Sequence, residues 1–99
     1  MQIEAKLNEM GIELPSAVTP VANYVPAVRS GNLVFLSGHG PFKEDGSLIT
    51  GKVGADLSTE QGYEAARRIA IGLLGSLKAE IGDLDKVKRV VKLLGLVNC

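Results

Sequence analysis

The stretch Tyr24-Val25-Pro26-Ala27-Val28-Arg29-Ser30-Gly31-Asn32-Leu33-Val34-Phe35-Leu36-Ser37-Gly38 decides the fold. Two β-forming runs, Tyr24–Arg29 and Leu33–Leu36, flank the short segment Ser30-Gly31-Asn32. A chain that reverses within two or three residues needs one that accepts positive φ, and apolar runs on either side then make a hairpin. The spacing predicts a hairpin over residues 24–36. Pro26 has no N–H to give to a ladder, so the first strand is expected to lie at an edge there or to carry a bulge. Leu33 to Leu36 are apolar at consecutive positions, which predicts that both faces of the second strand are covered.

Downstream, the chain breaks into Ser37-Gly38-His39-Gly40-Pro41 and then into a second turn at Glu44-Asp45-Gly46-Ser47, with a short strand expected near Leu48–Val53. Ser58-Thr59-Glu60-Gln61 is a helix start: the Ser58 hydroxyl can cap free N–H groups, and Gln61 three residues on completes a capping box. Ala66, Ile69, Ala70, Leu73 and Leu77 follow at steps of three and four, an apolar stripe from which Glu64, Arg67, Arg68 and Lys78 face away. The helix is predicted over about 59–80, ending before Gly82. Gly72 and Gly75 inside it are each less favourable than Ala by about 1 kcal/mol, so close packing of the helix on a sheet is expected to account for them. The last segment, Val87 to Asn98, fits a helix by its spacing of Val87, Val90, Val91 and Leu94. It also fits a strand, with Val87, Val91, Leu93 and Val97 on one face and Arg89 the exception, and its density of β-branched residues favours the strand.

Upstream, Ile3, Leu7 and Met10 share one face of a short helix over residues 2–10, and Gly11 stops it. Pro15, Pro20 and Pro26 make the stretch from Leu14 an extended connector. The layout is α+β, with helix on one face of a sheet. It divides into a helix and connector over 1–19 and a single domain over 20–99.

Composition removes several classes of function. The 99 residues carry 11 basic and 11 acidic side chains, a formal net charge of +0. No basic face or tail is present, so an electrostatic grip on nucleic acid is not expected. Aromatic residues make up 4% and Trp is absent, which leaves no platform for stacking bases. Apolar runs are only a few residues long, so no membrane span is expected. Glu4, Lys6 and Glu9 near the start do not suit a signal peptide, and the single cysteine, Cys99, has no internal partner; both fit a reducing cytoplasm.

Three sets of residues are candidates for chemistry. Ser37-Gly38-His39-Gly40 follows a buried strand, where glycines let a ligand approach the backbone; the alternative is a loop that simply needs positive φ. His39, the sole histidine, has no Cys, second His or spaced carboxylates with which to build a metal site; it serves as an acid or base, or is an exposed polar residue. Tyr24 either packs or orients a bound carboxylate through its phenol. The acids Glu44 and Asp45 are expected only to solvate their turn. No Walker loop, G-x-S-x-G or G-x-G-x-x-G occurs.

The segment from Tyr24 to Gly38 closely resembles the opening hairpin of RidA-type (YjgF-like) proteins, which read Tyr, a short strand, Gly-Asn, four apolar residues and Ser-Gly. The Asp-Gly loop, the long helix with an Ala-Arg pair, the Gly-Asp-Leu turn and the Val-rich last segment continue the pattern over residues 20–99, and residues 1–14 resemble the extension of a longer-chain subgroup. The resemblance implies a chorismate-mutase-like α+β sheet with helices on one face, assembled as a homotrimer with ligand clefts between subunits. It implies hydrolysis of reactive enamines and imines of the 2-aminoacrylate type to 2-keto acids and ammonia, with neither metal nor cofactor. Tyr24, Ser37 and Gly38 match the substrate-binding positions and are expected to line one concavity. His39 stands where the family commonly has glutamine. The family's carboxylate-clamping arginine and a following glutamate lie beyond Cys99 by order, so no catalytic residue is assigned. The chain is expected to be incomplete at its C-terminus and inactive alone. The competing expectations are a non-catalytic small-molecule-binding or regulatory trimer and, disfavoured by charge and composition, an endoribonuclease.

Overall fold

The computed structural model describes residues 2–15, 25–43 and 45–99. The first element, α1 (Gln2–Glu9), ends where Gly11 takes φ 73° and its N–H returns to the Asn8 carbonyl at 3.1 Å. Of the apolar trio expected on one face, only Leu7 is half-buried; Ile3 and Met10 are exposed.

Strands β1 (Ala27–Ser30) and β2 (Leu33–Leu36) pair antiparallel with Ala27 opposite Leu36 and Ser30 opposite Leu33. The two-residue reversal places Gly31 at φ 60°, the positive-φ position for which a side chain is poorly suited. Pro26 sits just outside β1 and contributes only its carbonyl, which accepts from the Ser37 N–H at 3.0 Å. The hairpin is thus where the sequence put it, but the expectation that both faces of β2 are covered is corrected. Leu33 and Phe35 are 49% and 60% exposed, whereas Val34 and Leu36 are half-buried. Alternation returns because a helix covers only one side of this two-stranded sheet.

That helix is α2 (Thr59–Ile81). Its capping box is complete: the Gln61 N–H donates to Ser58 Oγ at 3.2 Å, and the Ser58 N–H donates to Gln61 Oε1 at 2.8 Å. At the other end Gly82, at φ 84°, donates its N–H to the Lys78 carbonyl at 2.7 Å. Burial runs along the helix rather than in the stripe the spacing suggested. Ala66 and Ala70 are exposed, while Gly75, Ser76 and Ile81 are buried. A 3₁₀ turn (Leu84–Lys86) folds back after α2, and Leu84, 1% exposed, is the most deeply buried side chain described.

Gly75 owes its place to the connector, which corrects the expectation of a sheet contact. A Cβ there would stand 2.7 Å from the Pro15 carbonyl oxygen, closer than atoms can pack. The turn at Asp45-Gly46-Ser47 forms, with Asp45 Oδ1 accepting from both the N–H and the hydroxyl of Ser47; Glu44 lies outside the described residues. The strand expected at 48–53 is reduced to isolated bridges, Phe42 with Leu48 and Val53 with Leu57.

Residues 87–99 correct a further expectation: they form neither strand nor helix. Val90, Val91, Leu93, Leu94, Leu96 and Val97 are 71–85% exposed. β-branched residues favour a strand only when a neighbouring strand accepts their hydrogen bonds, and none flanks this segment among the described residues. The segment is tied at Asn98, whose carbonyl accepts from the Val53 N–H at 2.9 Å and whose side-chain amide donates to the Gly51 carbonyl at 3.3 Å.

Candidate functional site

The loop after β2 is held from three directions. Ser37 donates its N–H to the Pro26 carbonyl and its hydroxyl to the Val25 carbonyl, the latter at 2.9 Å, so the loop leaves β2 still attached to the strand opposite. The Ser37 carbonyl lies 2.6 Å from His39 Nδ1, and His39 Nε2 lies 2.7 Å from Ser76 Oγ on α2. A carbonyl can only accept, so Nδ1 carries the proton. In the neutral ring Nε2 is then an acceptor for the Ser76 hydroxyl. The ring passes over Gly72, where a Cβ would stand 3.8 Å from the imidazole Cδ2.

His39 is therefore half-buried and bonded through both ring nitrogens, not an exposed polar residue. A serine, a histidine and a carbonyl in a row resemble a nucleophile with its base. Yet Ser76 is only 4% exposed, in the interior face of a helix, where an incoming carbonyl compound has no approach. The arrangement is a brace. Sequence reading missed it, although Gly72 and Ser76 stand one helical turn apart, a small residue and a hydroxyl that together leave a slot for a ring.

Gly38 is exposed, and a Cβ placed on it would meet nothing within 4 Å among the described residues. The backbone N–H groups of Gly38, His39 and Gly40 donate to no group among the described residues. Among the described residues, the loop thus offers open space beside unpaired donors, an arrangement that can receive an anionic or carbonyl oxygen. Tyr24, the third residue expected at this concavity, lies outside the described residues. No arginine or lysine hydrogen-bonds to residues 37–40 among the described residues. Arg29 instead donates to the Glu80 carbonyl at 3.4 Å, and Arg68 pairs with Glu64 at 3.5 Å.

A second polar cluster joins α1 to the 3₁₀ turn. Asp85 accepts the N–H groups of Gln2 and Ile3 at 2.6 and 2.8 Å, Glu4 accepts that of Leu84 at 3.0 Å, and Asp83 accepts that of Asp85 at 2.9 Å. Each acid caps a helical start, Asp85 for α1 and both Glu4 and Asp83 for the 3₁₀ turn. These hydrogen bonds, the one from Ile3 above that from Gln2, hold the Asp85 carboxyl below its ordinary value. The three carboxylates have oxygens within 4.8 Å of one another, but their bonds to backbone N–H groups account for the clustering. A groove of about 500 Å³ lies beside it, lined by Glu4, Leu7, Ile12, Leu14 and Lys78 among others, and no residue of the 37–40 loop reaches it.

A hairpin backed by one long capped helix, with a braced serine-glycine loop at the strand end, defines an α+β protein. The family model described as "YjgF/chorismate_mutase-like, putative endoribonuclease" matches residues 4–99, and the chain belongs to that family. Protein TCP17 of Trypanosoma cruzi is 43% identical over 97 residues, which are 98% of this chain and 61% of that protein. Among solved structures, a "putative endoribonuclease" from Shewanella oneidensis MR-1 superposes with a TM-score of 0.82 at 32% identity, over 88% of this chain and 58% of that one. Protein Atu1372 of Agrobacterium tumefaciens, whose function is described as unknown, superposes with a TM-score of 0.75 at 40% identity, over 89% and 52%. The chain thus spans less than two thirds of the length of each of these relatives. The chorismate-mutase-like fold inferred from the hairpin is the fold of this family. Among the described residues, no helix is long and apolar enough to cross a membrane.

Proposed function

We propose that this protein binds small 2-imino or 2-enamino acids and that, in a form as long as its relatives, it hydrolyses them to 2-keto acids and ammonia. The observation that carries this reading is that, among the described residues, nothing fills the space over Gly38 and no group accepts the neighbouring N–H groups. A planar carboxylate or imine can lie against such backbone, where a side chain would keep it away. In the reaction, water adds to the imine carbon, and the tetrahedral adduct expels ammonia as the C–N bond breaks and a C=O forms. The chain's share of this work is to hold the substrate against the loop at Ser37 and Gly38. A fixed cation for the carboxylate supplies orientation as well as energy, and none bonds to this loop among the described residues. The proposal therefore assigns the cation to chain beyond residue 99 or to a neighbouring subunit of a homotrimer, and Tyr24 to the same recess. A net charge of +0 and the absence of Trp weigh against single-stranded RNA as the ligand.

The test is titration of the chain with 2-oxobutanoate, a stable product analogue, observed through backbone amide shifts. Binding is expected to perturb Gly38, and Gly38→Val, which fills open space rather than a packed one, is expected to weaken it at least tenfold with the fold intact. Equal binding by both proteins would sink the proposed site. A coupled assay that generates 2-aminoacrylate should show no acceleration by the 99-residue chain alone; acceleration would locate the missing cation within it.

A further inference from the structure

We infer that His39 is a positioning residue: by joining the Ser37 carbonyl to the Ser76 hydroxyl across Gly72, it anchors the Ser37–Gly38 loop on α2 and aims the backbone that meets the ligand. The inference rests on the reading of Ser37 and Gly38 given above and adds the device that orients them.

The Ser37 carbonyl and the Gly38 N–H belong to one planar trans unit, so they point in opposite directions. A carbonyl turned inward to His39 Nδ1, at 2.6 Å, turns the Gly38 N–H outward, and that N–H has no acceptor among the described residues. Gly38 is exposed, and none of the described residues lies near its Cβ position to hold this peptide unit, so without a tether it can rotate and hide its donor. The tether ends on the longest element of the molecule. Ser76 is buried at 4% exposure in the best-packed part of α2, so its hydroxyl is a fixed point. A helical serine ordinarily returns its hydroxyl to the carbonyl one turn back; here it lies 2.7 Å from the imidazole instead. Gly72 completes the device, since a branched or long side chain there would push the ring off both partners.

The chain has one histidine, so its ring nitrogens can be observed without ambiguity by long-range proton–nitrogen correlation on the labelled protein. In mildly alkaline solution the ring is expected as the Nδ1–H tautomer, with Nε2 unprotonated. Ser76→Ala and His39→Asn, the second keeping a donor near the Nδ1 position but unable to reach α2, should each shift the Gly38 amide signal. Each should weaken 2-oxobutanoate binding on the order of tenfold, and the double variant should lose no more than either single one, because both act through one contact. His39→Gln, whose carboxamide reaches as far as Nε2, should recover part of the loss. An Nε2–H tautomer, additive losses, or a Gly38 amide unmoved in both variants would overturn the inference. If the unaltered chain binds no 2-keto acid at all, the reading of the site fails, and the tautomer and the Gly38 amide then decide on the tether alone.

Discussion

Residues 71–84 and residues 87–98 are alike in composition and opposite in fate. The first stretch carries Ile71, Leu73, Leu74, Leu77, Ile81 and Leu84, all at least half-buried. The second carries Val90, Val91, Leu93, Leu94, Leu96 and Val97, and each keeps more than two thirds of its surface exposed. Apolar content supplies the same driving force in both. The difference lies in where the backbone hydrogen bonds go. A helix closes its own within four residues, so α2 needs no partner for its backbone, only a surface to lie on. A strand closes none by itself. It waits for a neighbour, and in residues 88–98 only Asn98 finds backbone partners among the described residues, at Gly51 and Val53.

The largest expected effect comes from removing the same side chain in the two regions. Leu84→Ala should lower the unfolding free energy by about 2–5 kcal/mol, the range for a fully buried leucine. Leu94→Ala should change it by less than about 0.5 kcal/mol, as surface substitutions do. Urea unfolding followed by circular dichroism checks both. Comparable losses would mean that residues 87–98 are packed after all, and the contrast would collapse.

Two glycines on α2 sharpen the comparison at shorter range. Gly75→Ala forces a methyl to within 2.7 Å of the Pro15 carbonyl oxygen, an overpacking expected to cost about 1–3 kcal/mol. Gly72→Ala places its methyl in ordinary contact with His39 at 3.8 Å, so the gain in helix propensity, up to about 1 kcal/mol, should dominate. Thermal unfolding of the two variants should move in opposite directions. A destabilised Gly72→Ala would show that the ring sits tighter on α2 than the distance implies.

How much of this was legible beforehand follows the same division. The hairpin was readable because Gly31 and its flanking runs lie within ten residues, and α2 because Ser58, Gln61 and Gly82 mark its ends with local chemistry. What failed was long-range. The burial of β2 depends on how many sheet faces have a cover, and the strand expected at 87–98 depends on a neighbour; neither is written in the segment concerned. At the candidate site the serine-glycine turn and Tyr24 were both visible as candidates in the residues, and family resemblance joined them in one expected concavity. The His39–Ser76 contact spans 37 positions of sequence, and its only trace was a pair of small residues on one helix face. Asp83-Leu84-Asp85 left a similar trace, two acids flanking a leucine, whose caps reach back more than eighty residues to α1.

That last junction gives the smallest effect and the most specific one. The Asp85 carboxylate accepts N–H groups from Ile3 and Gln2, which favour its ionised form, so its folded value lies below the ordinary 3.8. A carboxyl depressed in the folded state contributes stability above the ordinary value and loses it as pH falls through the lower, folded one. The junction of α1 with the 3₁₀ turn should therefore be fully formed at neutral pH and should loosen only below 3.8. The amide proton of Ile3 reports this directly, because a proton shared with a carboxylate moves when the carboxylate is neutralised. Its shift should titrate with a midpoint under 3.8, and in Asp85→Asn the titration should vanish while the hairpin signals stay in place. A midpoint at or above the ordinary value would mean that Asp85 is solvated rather than capping α1, and that among the described residues α1 meets the 3₁₀ turn through Glu4 and the Leu84 N–H.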